Sequence, residues 1–166
     1  SSGPYDLFEH NGVLYFSADD GIHGLELWRS DGTDSGTVMV IDAHPGIGGS
    51  FPFEFVTDDS FIYYKAFEPI TGFEIWRSDG TDSGTYALDI VAGAGFGVDF
   101  SSYLGAMDRG IVFSYEKDTF GYEPWYSDGT VAGSYRIADL LPIGSSFPYT
   151  FFAKDSMGYF IGYDGQ

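Results

Sequence analysis

Glutamate recurs at one fixed place in this 166-residue chain, two residues before a tryptophan. The three copies are Glu26, Glu74 and Glu123. Two carboxylates can act as general acid and general base in glycoside hydrolysis, but only when their environments differ. Repetition of one motif predicts equivalent environments, which counts against a glycosidase-type enzyme. We expect instead that each Glu shares a strand face with its Trp and accepts backbone N–H bonds or pairs with Arg29 or Arg77.

Aspartates in the loop after each tryptophan could bind calcium. Asp31 and Asp34 follow the first Trp, and Asp79 and Asp82 follow the second. Hard cations prefer such oxygen ligands, but Asp before Gly also predicts a turn capped by its own side chain. The spacing differs from that of an EF-hand, and the third copy has only Asp128. Loop capping is our first interpretation, and a calcium site is the alternative; no other cofactor is expected.

Tryptophan also recurs once in each copy, as Trp28, Trp76 and Trp125. A large aromatic side chain at a repeated position predicts packing between neighbouring sheets. The alternative is a platform on which sugar rings stack, to which several tyrosines would add their rings: Tyr5, Tyr63, Tyr64, Tyr103 and Tyr163. No Ser-His-Asp signature, nucleophile elbow or P-loop occurs in the sequence.

These residues belong to a tandem repeat. The segment 26–37 returns at 74–85 and, more loosely, at 123–134. Tyr15 and Tyr159 lie 144 residues apart, which is three times 48. We therefore divide the single repeat domain 1–166 into units 5–52, 53–100 and 101–148 and a partial fourth unit 149–166. The repeated positions expected to be structural are Gly24, Glu26, Trp28, Asp31, Gly32, Gly72, Glu74, Trp76, Asp79, Gly80, Gly121, Glu123, Trp125, Asp128 and Gly129.

The sequence of each unit predicts two β-hairpins. Asn11-Gly12 between apolar runs is a strong hairpin signal, because both turn positions favour positive φ. Strands 25–29 and 37–41 flank the Ser-Asp-Gly-Thr loop of the first unit. In the third unit we expect the returning strand at 135–139. We also expect Pro124 to interrupt the strand that precedes the loop of that unit. Four short strands per period indicate a propeller blade. The fold class is all-β: tandem four-stranded antiparallel blades, about three and a half in number, forming a partial or open propeller.

The segment from Glu26 to Thr33 and its copies resemble the ELWxxDGT repeat of large secreted or surface-associated bacterial proteins. The resemblance covers nearly the whole chain. It implies a propeller-like extracellular repeat with no established common activity. The third copy departs from the pattern, because Tyr126 replaces Arg and Val131-Ala132 replace Asp-Ser.

The composition of the chain argues against several kinds of partner and cross-link. The chain carries 25 acidic and 7 basic side chains, a formal net charge of −18. Such a surface repels phosphate backbones and anionic headgroups, so we expect no nucleic-acid partner. No apolar run is long enough to span a bilayer, so we expect no membrane insertion. The chain has no cysteine, which excludes disulfides and thiolate metal sites.

Together these features predict a non-catalytic structural or adhesive module located outside the cell or on its surface. Its expected partners are other copies of itself or further repeats of a longer chain. The alternatives are a lectin-like module that binds glycans and a calcium-dependent binding propeller. Because three and a half blades do not close a ring, we also expect end-to-end assembly into a filament. The lone hairpin 149–165 would then pack on a neighbour.

Overall fold

The chain folds into three four-stranded antiparallel sheets and one two-stranded sheet. This computed structural model describes residues 2–91, 97–98, 100–117, 121–154 and 157–165. The first sheet contains β1 (Tyr5–His10), β2 (Val13–Asp19), β3 (Leu25–Ser30) and β4 (Val38–Ile41). The second contains β5 (Phe53–Thr57), β6 (Ile62–Glu68), β7 (Gly72–Ser78) and β8 (Tyr86–Ala87). The third contains β9 (Leu104–Ala106), β10 (Ile111–Glu116), β11 (Tyr122–Ser127) and β12 (Tyr135–Arg136). The last consists of β13 (Tyr149–Lys154) and β14 (Met157–Ile161).

The strand order in every sheet is the chain order. The first strands β1, β5, β9 and β13 lie next to one another in succession, as the inner strands of adjacent blades do. The structure therefore confirms the prediction of an all-β fold with tandem four-stranded antiparallel blades and a half blade. Each of the predicted units 5–52, 53–100 and 101–148 contains one four-stranded sheet. Within the described ranges, no helix is long and apolar enough to cross a bilayer.

Local chemistry explains the first hairpin of the chain. Asn11 and Gly12 have φ angles of 52° and 78°, as a two-residue hairpin turn requires. The first strands also contain an irregularity that the sequence did not predict. Their registers shift after Tyr5, Phe53 and Tyr149, and the next residue has positive φ in each case. This repeated β-bulge bends the inner strand of the blade.

The core lies between the sheets. One cluster joins Tyr15 and Leu27 of the first sheet to Ile62, Tyr64 and Trp76 of the second. The other cluster joins the second and third sheets, and its members include Tyr63, Ile75, Leu88, Ile111, Phe113, Tyr115 and Trp125. Successive residues of a strand point to opposite faces, so the second sheet is covered on both. Each unit is thus stabilised mainly by its neighbours.

Two predictions about the third unit are wrong. The returning strand was expected at 135–139 but forms only Tyr135–Arg136, because the chain then turns into its connector. Pro124 was expected to interrupt the strand before the loop, yet β11 runs continuously through it. Proline lacks the N–H donor, but the carbonyl oxygen of Pro124 accepts a hydrogen bond of 2.8 Å from the amide of Ile137.

Candidate functional site

Glu26 and Glu123 are buried carboxylates that bind their own connector. Glu26 accepts hydrogen bonds from the amides of Ala43 and His44 at 3.2 and 3.1 Å and from the Ser50 hydroxyl at 2.5 Å. Burial raises the pKa of Glu26, although these three hydrogen bonds oppose the shift. Of the two roles expected for this Glu, the structure supports acceptance of backbone hydrogen bonds rather than pairing with an arginine.

Glu123 repeats this arrangement in the third unit. It accepts hydrogen bonds from the Leu140 amide at 3.0 Å and from the Ser146 amide and hydroxyl at 3.2 and 2.9 Å. The side chain is 1% exposed. The carboxylate therefore fixes the end of the third sheet to the connector that follows it.

Glu74 is buried in the same place, but among the described residues no connector amide or serine hydroxyl donates to it. Gly97 occupies the position of the serine that donates to the other two carboxylates, because its carbonyl oxygen accepts from the Glu116 amide as that of Ser50 accepts from the Phe67 amide. The backbone of Val91, the counterpart of Ala43, hydrogen-bonds the Tyr115 hydroxyl instead. A 3.4 Å hydrogen bond comes from the hydroxyl of Tyr115. Burial, and then the nearby Asp89 carboxylate, raise the pKa of Glu74 to about 9. Repetition of the motif predicted equivalent environments for the three Glu side chains, and the environment of Glu74 differs from the other two.

The tryptophans lie where neighbouring sheets meet. Trp76 packs in the cluster between the first and second sheets, and Trp125 packs between the second and third. Each is 5% exposed, which agrees with core packing. Trp28, in the first sheet, is only half-buried. The three indoles therefore do not form a row of open platforms.

The loop aspartates cap their own turns. Oδ1 of Asp31 accepts hydrogen bonds from the amide and hydroxyl of Thr33, at 2.9 and 2.7 Å. Asp79 and Asp128 make the same pair with the threonine two residues later. Through its carbonyl oxygen Asp34 accepts from the Thr37 amide, and Asp82 accepts likewise from Thr85. In the part of the chain that is described, no three His, Asp or Glu side chains group closely enough to hold a metal ion. The calcium site stays a prediction.

In the second and third units the glycine of the loop packs against the preceding unit. A Cβ atom at Gly80 would lie 2.5 Å from the Tyr15 hydroxyl and 3.4 Å from a guanidinium nitrogen of Arg29. At Gly129 a Cβ would lie 2.7 Å from the hydroxyl of Tyr63. The carbonyl oxygen of Gly129 also accepts a hydrogen bond from Arg77 at 3.3 Å. The repeated loop is thus an interlock between units.

Gly32 is different, because a Cβ atom there would meet nothing within 4 Å. The glycines before each Glu serve another contact. A Cβ at Gly24 would lie 2.6 Å from the Gly49 amide nitrogen, and one at Gly121 would lie 2.1 Å from the Ser145 hydroxyl. Gly72, the second copy, has a φ of 88°. These glycines let the connector approach the start of the strand.

A buried ion pair breaks the repeat in the second unit. Lys65 is fully buried, and its Nζ lies 2.6 Å from Oε2 of Glu54 and donates to the carbonyl of Ser102. Serine occupies the equivalent places, Ser17 and Ser114. Sequence reasoning missed this pair. The available signal was a single lysine within the apolar run of β6.

The tyrosines proposed as sugar platforms divide into two groups. Tyr63 and Tyr64 are at most 1% exposed, so these two side chains cannot serve as sugar platforms. They point to opposite faces of β6, and a sheet covers each face. Tyr103 and Tyr163 are exposed, and Tyr5 is half-buried.

Tyr5 belongs to an aromatic cleft of about 430 Å³ that the sequence did not predict. Its other lining residues are Phe51, Phe53, Phe73 and Phe100. The rings of Phe53 and Phe100 stack with their centroids 5.0 Å apart. The cleft offers ring faces rather than polar groups. It could hold an apolar surface but provides no acid, base or nucleophile.

Comparison with known proteins assigns no family to this site. No protein-family model matches the chain, and no curated protein matches it either.

Proposed function

We propose that this chain is a non-catalytic structural or adhesive repeat module of an extracellular or cell-surface protein. One observation carries the proposal: the repeated residues contact other parts of the stack. In two of the three copies the repeated Glu binds its connector, the Trp packs between sheets, and the loop glycine packs on the preceding unit. A motif whose atoms are occupied in this way is suited to building an array.

Charge and resemblance support the location. A net charge of −18 keeps an extracellular array soluble and discourages contact with nucleic acid or anionic lipid. The likeness of the motif to the ELWxxDGT repeat fits a secreted or surface protein. The partners proposed for the module are other copies of it or further repeats of a longer chain. It requires no cofactor.

Calorimetry with millimolar calcium and with a chelator tests the proposal against calcium-dependent binding. We expect the melting temperature to be the same in both, because the loop aspartates already cap their turns. A calcium-induced rise that is lost in Asp79→Asn and Asp82→Asn would instead support the calcium alternative. Asp59→Asn, an exposed change outside the repeated loops, is the matched control.

The aromatic cleft is the observation that favours the second candidate, a carbohydrate-binding module. Sugars present C–H faces that stack on aromatic rings, and Phe100 exposes 74% of its surface in the cleft. A glycan array without binders would leave the structural proposal in place. Binding that is lost in Phe100→Ala but kept in Ile143→Ala, a change at an exposed connector residue, would favour the lectin-like function.

A further inference from the structure

The stack of sheets has a direction. Phe8 and Tyr15 of the first sheet face the second sheet, where the Phe8 ring lies 6.0 Å from that of Phe55. The second sheet meets the first with the opposite face, which carries Tyr64 and Trp76. The second and third sheets repeat this contact with Tyr63 on one side and Trp125 on the other. Each sheet therefore has a face for the sheet before it and a different face for the sheet after it.

The half blade presents the second type of face without a cover. Phe152 pairs with Tyr159 in the register in which Phe8 pairs with Tyr15, so Tyr159 is the counterpart of Tyr15. Tyr15 is 4% exposed beneath the second sheet, whereas Tyr159 is 40% exposed. Phe152 and Met157 beside it are more than half exposed. We call Phe152, Met157 and Tyr159 the tail face.

The first sheet presents the first type of face, also without a full cover. We call Leu7, Leu14, Phe16 and Trp28 the head face. Leu14, Phe16 and Trp28 are half-buried, whereas their counterparts Ile62, Tyr64 and Trp76 in the second sheet are buried. Leu7, the counterpart of Phe55, is 63% exposed. The loop at Gly32 is open, although the equivalent loops at Gly80 and Gly129 pack on a neighbour.

We propose that the head face of one copy of this chain docks on the tail face of a second copy. The contact reproduces the one between the first and second sheets, so it continues an interface that the fold already contains. Gly32 of the docked copy lies over Tyr159, as Gly80 lies over Tyr15 within the chain. The inference deepens the proposed structural role by naming the partner and the two surfaces.

This contact is heterologous, because the two faces differ. A heterologous contact gives a ring if the rotation closes and a filament if it does not. Each copy carries a net charge of −18, so repulsion opposes association. Added salt screens that repulsion and leaves the apolar contact intact. Association is therefore expected to strengthen as the salt concentration rises.

Sedimentation velocity at high protein and salt concentration tests the contact with one charged variant for each face. Leu7→Glu alters the head face and Phe152→Glu alters the tail face, and both positions are exposed in the single chain. Each change places a charge in the proposed apolar contact and should weaken association more than about a hundredfold. Ile143→Glu, at a 92% exposed position in the connector after β12, is the matched control.

The expected pattern is specific to head-to-tail docking. The parent chain and Ile143→Glu sediment as species larger than the 18.2 kDa monomer. Leu7→Glu and Phe152→Glu alone are monomers, because every contact contains one altered face. An equimolar mixture of the two forms a one-to-one dimer, since the intact tail of the first variant meets the intact head of the second.

Three results would overturn the proposal. They are a parent chain that stays monomeric at all concentrations, continued association of either variant alone, and a mixture that stays monomeric. Thermal melts of each variant verify that the fold is kept, and Met157→Glu replaces Phe152→Glu if that variant melts early. A monomeric parent chain would not touch the proposed structural role, which is tested independently by calcium and glycans.

Discussion

Replacing Glu74 with glutamine should stabilise the protein at neutral pH. Glu74 is buried, and its pKa of about 9 means that the folded chain keeps this carboxyl protonated at pH 7. Glutamine has nearly the shape of a neutral carboxyl group, and its oxygen can accept the hydrogen bond from Tyr115. The change therefore removes a titrating group and keeps the packing.

The magnitude follows from the difference between the folded and unfolded pKa values. The unfolded carboxyl ionises near the ordinary value of 4.5, and the folded one near 9. Between these values the unfolded chain binds fewer protons, so the free energy of unfolding falls as the pH rises, by about 1.4 kcal/mol per pH unit. From pH 4.5 to pH 7 this group should lower stability by about 3 kcal/mol. Glutamine abolishes that loss.

Urea denaturation of the parent chain, Glu74→Gln and Glu123→Gln from about pH 4 to pH 8 measures the effect. Glu74→Gln should match the parent at the acidic end and exceed it by up to about 3 kcal/mol at pH 7. Glu123→Gln is the matched control, because its carboxylate accepts three hydrogen bonds. The glutamine oxygen can keep the bonds at one position, but its NH₂ cannot accept those at the other, so this variant should lose about 1–3 kcal/mol at pH 7.

Two outcomes would refute the reasoning. One is a Glu74→Gln variant that loses as much stability at pH 7 as Glu123→Gln. The other is a difference between Glu74→Gln and the parent that does not change with pH. Either would mean that Glu74 is ionised in the folded chain.

Two further variants test the contacts between units. Gly80→Ala should lower the free energy of unfolding by about 2–4 kcal/mol, because it combines positive-φ strain with a clash against the tyrosine hydroxyl of the first sheet. Gly32→Ala has a similar φ but open space, so chemical denaturation should show a loss of only about 1 kcal/mol; equal losses would exclude the interlock. Asp58→Asn should cost about 2 kcal/mol, because the Asp58 carboxylate accepts from Tyr63 and from the Gly110 amide of the next unit. Asp59→Asn beside it should cost nothing measurable in the same assay, and a similar loss in both would refute this role.

The repeat and its turns were predictable because they depend on local chemistry. Asn11-Gly12 specifies its turn by backbone preference, and Asp31 caps its loop by accepting hydrogen bonds from Thr33, two residues later. Four strands per period then follow from the spacing of these turns. The all-β blade architecture needs no contact between units to be inferred.

The contacts between units were harder to predict, because they depend on which faces meet. Tyr63 and Tyr64 are adjacent, and strand alternation alone leaves one of them exposed unless sheets stack on both sides. Glu74 has no serine donor because Gly97, 23 positions further along the chain, lies where Ser50 and Ser146 lie in the other units. The sequence shows that the serine is missing from the second unit, but only the fold reveals that the serine of the other units donates to the carboxylate.

The placement of the core between the sheets has a mechanical consequence. Each hydrophobic cluster is shared by two adjacent sheets, so the stability of one sheet depends on its packing against its neighbours. Under tension along the chain, the outermost sheets have one such contact and should detach first, each removal exposing the next. Such a stack should unfold from its ends and lengthen in discrete steps. When the force is released, the sheets should refold and the stack should return to its original length.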